Sequence, residues 1–413
     1  MKLSNLRKEK SEEKIFLIAD VINCTKENEP DQTVWVSIPN QYGEYLSDNR
    51  YDGFLVALLY PAMVYGEDIE VDGIVSKRLL RNINKFVQDI LLAYDSKLHK
   101  INISAKETTN EILSTAKHIG TGFSGGVDSF STIYDNFVLE NDPEYKIDSL
   151  VCLNVGSHGT FGDEKTKKLF QNRYNFLKRY ADIVDLPYIP VDSNIHYFCK
   201  EHYYTCILTL VAGILCMQNA FVRYYVASST GDYKQWTKTI ISQKGINIDE
   251  FSEPYLLPLL STETTEFISD GIQYTRCQKT IRISSYPLTK HFLDVCMNEP
   301  QKKNCGVCKK CARVGLTLSV VDKLDEYKDV FNVESFRKNG RWLMSRAIIT
   351  YKTDFFMGEI VDFAREHGKK YPNRFLFFPI CVVVFAFGYL KRRGVKEFHN
   401  AVRRLLIKIR QER

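Results

Sequence analysis

Thr121-Gly122-Phe123-Ser124-Gly125-Gly126-Val127-Asp128-Ser129 follows a short apolar run and precedes a helix-like one, and its reading decides the fold. Two adjacent glycines let the backbone turn tightly and approach phosphate oxygens with no side chain in the way. The N–H groups of such a loop and of the next helix's first turn face an anion, helped by the helix dipole. On this reading Ser124, Gly125, Gly126, Val127, Asp128 and Ser129 form a pyrophosphate cradle, with Ser124 and Ser129 adding hydroxyl donors. Asp128 would repel a bare phosphate, so its carboxylate is expected to hold a Mg²⁺ ion that bridges phosphate oxygens. No Gly-Lys-Ser/Thr follows, so this is not a Walker A loop. The plain alternative is an ordinary glycine turn between strand and helix.

Around this stretch, residues 115–319 alternate between strand-like and helix-like segments. Strands are expected at 118–123, 150–155, 188–191 and 223–227, and helices at 127–139, 163–180 and 201–218. The fold class is therefore α/β, a parallel sheet wrapped by helices, with ligand at the carboxyl ends of the strands. Residues 1–114 read as an α+β module that covers or extends this domain. It holds the β-branched run Thr33-Val34-Trp35-Val36-Ser37-Ile38, helix-like stretches at 50–64 and 76–94, and an alternating run at 100–105. Residues 320–413 read as helical throughout.

A second constellation is Cys296, Cys305, Cys308 and Cys311, spaced Cys-x₈-Cys-x₂-Cys-x₂-Cys. Cysteines two residues apart bring their thiolates to one point through tight turns, and Gly306 supplies permissive backbone. Four thiolates suit tetrahedral Zn²⁺ and leave no open position, which makes the metal structural. Lys302, Lys303, Lys309 and Lys310 would offset the thiolate charge. An iron–sulfur cluster is the rival reading, with Cys277 as a further ligand or redox thiol.

The first motif resembles the PP-loop of the ATP pyrophosphatase superfamily, whose members cleave ATP between its α- and β-phosphates to adenylate a substrate oxygen. The two motifs together resemble 7-cyano-7-deazaguanine synthase and its relatives, across about the middle half of the chain. The resemblance implies an adenine nucleotide alpha hydrolase-like, Rossmann-like fold, with ATP and Mg²⁺ at the loop and Zn²⁺ at the cysteines. Ser229-Thr230-Gly231-Asp232-Tyr233 stands where the family carries a glycine-rich loop and an acid near substrate, which assigns Gly231 to the nucleotide and Asp232 to catalysis. Pro258-Leu259 with Glu266 is similar to the family's Pro-Leu…Lys-x-Glu element, but the lysine position is Thr264. Arg276 and Lys279 are the candidates to supply the missing positive charge.

The implied activity is that of an AMP-forming, C–N bond-forming ligase. A carboxylate or carbonyl oxygen attacks the α-phosphorus, Asp128, Asp232, Arg276 and Lys279 serve the charge that develops, and ammonia or an amine displaces AMP. Residue 2 is Lys, and no Gly-x-Cys-x-Gly elbow occurs, so the chain shows no glutaminase nucleophile of its own. Free ammonia, an amine substrate or a separate partner protein would supply the nitrogen to a small-molecule or macromolecular acceptor. His158 and His202 are further acid/base candidates.

Composition agrees with a cytoplasmic enzyme. The 413 residues are 44% hydrophobic and 26% charged, enough for two or three domains with real cores. The 11 cysteines, an odd number mostly inside apolar runs, read as reduced thiols plus a metal site. The net charge of +6 is concentrated at the end: residues 391–413 hold nine basic and two acidic side chains, and the body is near neutral. A chain-wide nucleic-acid surface is thereby disfavoured, although the basic tail could bind RNA or an anionic surface. Residues 375–390 form an uncharged run of sixteen, shorter than a usual membrane span and holding Pro379 and Gly388. A buried helix is the favoured reading over membrane contact. Two other functions stay open: a tRNA-modifying thiolase or ligase, and a nucleotide-binding regulatory component of a multi-protein system such as anti-phage defence. A homodimer is the default assembly.

Overall fold

A computed structural model describes residues 1–22, 32–199, 202–229, 231–242, 248–297 and 303–369, with isolated positions between 379 and 390. The basic tail 391–413, and the apolar run 375–390 except for those positions, lie outside the described residues. No helix among the described residues is long and apolar enough to cross a membrane.

The protein is α/β. Ten strands form one sheet: β1 (Lys2–Lys10), β2 (Lys14–Ile22), β3 (Gln32–Pro39), β4 (Ile69–Ser76), β5 (Ile103–Thr109), β6 (His118–Gly122), β7 (Ser149–Asn154), β8 (Tyr188–Ser193), β9 (Phe221–Ala227) and β10 (Glu266–Asp270). Their order is β10-β9-β6-β7-β8-β3-β2-β1-β4-β5. From β10 to β8 every pairing is parallel. β7 shows the logic: Ser149-Leu150-Val151-Cys152-Leu153-Asn154 is buried at all but one position, as a strand covered on both faces must be. β3 joins antiparallel to β8, with Val36 opposite Ser193, so the N-terminal strands continue the same sheet.

Packing divides the chain into two compact units, which differ from the sequence segments 1–114, 115–319 and 320–413. The first takes in residues 1–124, 132–230 and 246–270 and holds the whole sheet; the second takes in 125–131, 231–245 and the chain from 271 onward. The continuous sheet explains why residues 1–114 pack with the parallel strands.

Within the first unit, the helix Asp52–Tyr65 is apolar nearly all round and buries twelve of its residues. Each such leucine or phenylalanine contributes about 1.5–3 kcal/mol. Gly53 lets this helix approach the helix His202–Leu215, because a Cβ there would lie 2.5 Å from Cys216 Sγ and 2.7 Å from Ala212 O. The helical stretch expected at 76–94 runs from Lys77 to Tyr94, with Ser76 Oγ accepting from Leu79 N as its cap. The strand expected at 100–105 begins later, at Ile103. Gln88 clasps both backbone groups of Ile101, and Asp68 accepts from Asn102 N, so side chains satisfy this stretch ahead of the strand. β10 was not foreseen as a strand.

In the second unit, the helices Arg276–Ile283, Lys309–Val320, Val333–Ile349 and Phe355–Glu366 pack on one another.

Candidate functional site

The glycine loop leaves the carboxyl end of β6, and the stretch with Gly231 and Asp232 follows the carboxyl end of β9. β6 and β9 are neighbours, and the sheet order reverses between them, since β7 and β8 lie beyond β6 while β10 lies beyond β9. Before the turn, Phe123 N donates to Val151 O (2.9 Å), and Tyr188 Oη donates to Phe123 O (2.8 Å). Gly125 has φ 73°, the left-handed region that glycine enters without strain. Its carbonyl accepts from Asp294 N at 2.8 Å. The helix Val127–Ile133 begins at once, with Phe130 N donating to Gly126 O.

The two serines differ. Ser124 is exposed, whereas Ser129 is buried and its hydroxyl donates to Gly126 O at 3.2 Å. The Ser129 hydroxyl braces the turn.

Asp128, in the first helical turn, meets both cations singled out from the sequence. Arg276 Nη2 lies 3.1 Å from Asp128 Oδ2, and Lys279 Nζ lies 3.4 Å from Oδ1. Arg276 and Lys279 are three residues apart on the helix Arg276–Ile283, hence on one face. A capping box fixes where that helix starts: Gln278 N donates to Thr275 Oγ1, and Thr275 N donates to Gln278 Oε1. Lys279 is wholly buried, and Asp128 is one group that compensates its charge. Gly271 leaves room for the lysine stem, since a Cβ there would sit 3.2 Å from Lys279 Cε. The Arg276 guanidinium also stacks 5.1 Å over Phe356.

Asp232 has a different local duty. Its Oδ1 accepts from Gln235 N (2.8 Å) and its own N–H donates to Gln235 Oε1, which caps the helix Tyr233–Ser242. A Cβ on Gly231 would fall 2.1 Å from Gln235 Oε1, so a side chain there would displace this contact. Thr264 is buried in the turn before β10, where its hydroxyl accepts from Leu113 N at 3.0 Å.

The four cysteines converge. The Sγ atoms of Cys296, Cys305, Cys308 and Cys311 all lie within 4.8 Å of one another, and Cys305 and Cys311 are 3.9 Å apart. A tetrahedral site with metal–sulfur bonds of about 2.3 Å has sulfur–sulfur edges of about 3.8 Å, so the set could hold a metal such as zinc. Gly306 makes the knuckle at φ 78°, where a Cβ would strike Asn332 O at 2.7 Å. Cys308 caps the helix Lys309–Val320, and its Sγ accepts from Cys311 N at 3.5 Å. Hydrogen bonding from Cys311 pulls the Cys308 thiol well below its usual range. Buried Asn304 ties the knuckle together, donating to Leu293 O and Val330 O while accepting from Val295 N. Lys309, expected to offset the thiolates, lies 3.5 Å from Asp354.

Protein-family models, curated proteins and solved structures give no match to this chain. The reading of the site therefore rests on its own residues.

Cys277 stands apart from the metal-ligating set. It is 1% exposed, its Sγ lies 3.5 Å from Thr317 Oγ1, and burial pushes its thiol well up. His158 and His202 belong to the first unit. Burial, and then the neighbouring Arg173, push His158 down to about 3, which makes it a poor base near neutrality.

Proposed function

We propose that this chain is an ATP-dependent adenylating enzyme that forms AMP and pyrophosphate while activating a carboxylate or carbonyl oxygen for attack by ammonia or an amine. The observation that carries the reading is the convergence of Arg276 and Lys279 on Asp128, in the first turn after the glycine loop. Open parallel sheets bind ligands outside the carboxyl ends of the strands where the strand order reverses, and both glycine loops follow strands at that reversal. A Rossmann-like nucleotide domain has this arrangement.

The residues suit Mg²⁺·ATP. Exposed Ser124, the left-handed Gly125 and the N–H groups opening the helix Val127–Ile133 form a cradle for pyrophosphate. Asp128 is the carboxylate that would hold Mg²⁺, an ion commonly bound through one or two carboxylates plus phosphate oxygens. When bound, that ion neutralises phosphate charge. Arg276 and Lys279 would then pair with phosphoryl oxygens, supplying the charge that Thr264 lacks. A substrate oxygen attacks the α-phosphorus, pyrophosphate leaves, and the nitrogen nucleophile displaces AMP from the adenylate. Buried Cys277, with its thiol held protonated, speaks against a persulfide-carrying thiolase. The cysteine knuckle is a structural zinc site in this reading.

ATP–pyrophosphate exchange by the purified protein, with and without a small-molecule extract, tests the proposal. Exchange that needs the extract and vanishes in Asp128→Ala is the expected result. ATP binding without exchange under any of these conditions, including added RNA and protein acceptors, would refute adenylation.

A further inference from the structure

Three histidines gather where β7 and β8 end, all within the first unit. His158 sits in the loop after β7, His196 on the short helix Ile195–Phe198 after β8, and His202 opens the helix His202–Leu215. The loop after β7 holds Gly156, Gly159 and Gly162 at φ 124°, 132° and 82°. A Cβ on Gly156 would lie 2.8 Å from His202 Nδ1 and 3.4 Å from His196 Cβ, so the glycine keeps that space clear.

His196 is 5% exposed, and among the described residues neither of its ring nitrogens has a hydrogen-bond partner; His202 Nδ1 is also buried without one. Buried polar atoms cost folding free energy unless water, an ion or a ligand completes them. Arg173 Nη1 donates to His158 Nε2 at 3.0 Å, and its buried Nε has no partner among the described residues. Among the described residues Arg173 forms no ion pair with a carboxylate. Asp192, which acts on His196 through its charge, is engaged elsewhere: Oδ1 accepts from Asn154 Nδ2 and Ser193 N, and Oδ2 lies 3.6 Å from Lys14 Nζ.

A guanidinium beside an imidazole, with no carboxylate partner among the described residues, opposes a metal cation and favours an anion. Burial lowers the proton affinity of all three rings, so each neutral imidazole keeps one N–H to donate. We propose that Arg173, His196 and His202 bind the oxyanion group of a small molecule, a phosphate or a carboxylate, at the carboxyl ends of β7 and β8. This site is independent of the reading of Ser124–Ser129.

The test follows the imidazole resonances of the full chain during titration with inorganic phosphate in one arm and acetate in the other. Saturable shifts at His196 and His202 are expected in at least one arm, and the arm that saturates at lower concentration identifies the anion. The shifts should persist in Asp128→Ala, which separates them from binding at the glycine loop. Arg173→Gln should weaken binding roughly 10- to 100-fold, the range for a hydrogen bond to a charged group. His196→Gln, checked for an unchanged circular dichroism spectrum, should also weaken it. No saturable shift in either arm, loss of the shifts in Asp128→Ala, or an Arg173→Gln protein that titrates like the parent would overturn the proposal.

Discussion

The cysteine knuckle and the Asp128 cluster lie in the same compact unit but are assembled in opposite ways. Cys305 and Cys311 are six positions apart, and a tight turn at Gly306 brings their sulfurs together. Asp128 and Lys279 are 151 positions apart and meet because the chain after β10 returns to the helix that follows β6. A local cluster needs little loop closure, and its natural cement is a bound ion. A distant one is held by the fold around it, and its charges must compensate one another. Damage to the first should therefore unfold a segment, whereas damage to the second should separate stability from chemistry.

The largest effect should come from breaking the local cluster. Cys311→Ser, or removal of metal by a chelator, is expected to release bound zinc and expose the helix Lys309–Val320 to hydrogen exchange. Small zinc modules draw about 10–16 kcal/mol of apparent binding free energy from such a site. Unchanged protection of that helix in metal-free protein would mean that packing alone holds the knuckle.

Next comes the distant cluster. Asp128→Ala removes a carboxylate paired with a wholly buried lysine and with Arg276, and should cost about 3–5 kcal/mol in denaturant unfolding. Lys279→Met fills the same space without charge and should be near neutral in stability while abolishing ATP–pyrophosphate exchange. Equal destabilisation by the two substitutions would show that packing, and not pairing, fixes Lys279.

A buried acid in the first unit makes a control with no part in either cluster. Asp52 accepts from Ser76 N and Gln218 Nε2, and burial pushes its carboxyl from 3.8 up to about 6. Because the folded value is the higher one, this group's contribution to stability is complete below pH 3.8 and is lost as pH rises through about 6. The shift corresponds to about 3 kcal/mol. Asp52→Asn should flatten that part of the stability–pH curve; a curve identical to the parent's would assign the pH dependence to other groups.

The smallest effect belongs to the loop itself. Gly125→Ala forces a Cβ into the left-handed region at a cost of about 1–2 kcal/mol, read as a lower melting temperature. Its exchange activity should fall far more than its stability, since the loop's shape is what the pyrophosphate would meet.

Much of the parallel half was legible from residues 115–230, because a buried strand such as β7 is a short unbroken apolar run and the helices between strands are amphipathic. β10 escaped notice because Glu266-Phe267-Ile268-Ser269-Asp270 is short and polar at its ends, and only pairing with β9 makes it a strand. The cysteine set was readable whole, since its spacing is its geometry. Arg276 and Lys279 stand out by their charge and their place after Glu266, but spacing does not reveal their meeting with Asp128. Asp232 also caps its helix through Gln235, a contact that its place beside a glycine does not announce. His196 gave no signal at all, because a single histidine between isoleucine and tyrosine looks like core.

By itself the sequence determined what short-range physics controls: the tight turn at Gly125 and Gly126, the sulfur knuckle, the periods of strands and helices, and the basic end of the chain. Only the tertiary structure decided which distant groups became partners. It joined the N-terminal strands to the parallel sheet through β3 and β8, placed a buried lysine against Asp128, and left His196 without a hydrogen-bond partner among the described residues. The reason is physical. Turns and metal knuckles are set by the dihedral angles of a few adjacent residues, whereas a buried charge or an unpaired imidazole is defined by what the rest of the chain brings within a few ångströms.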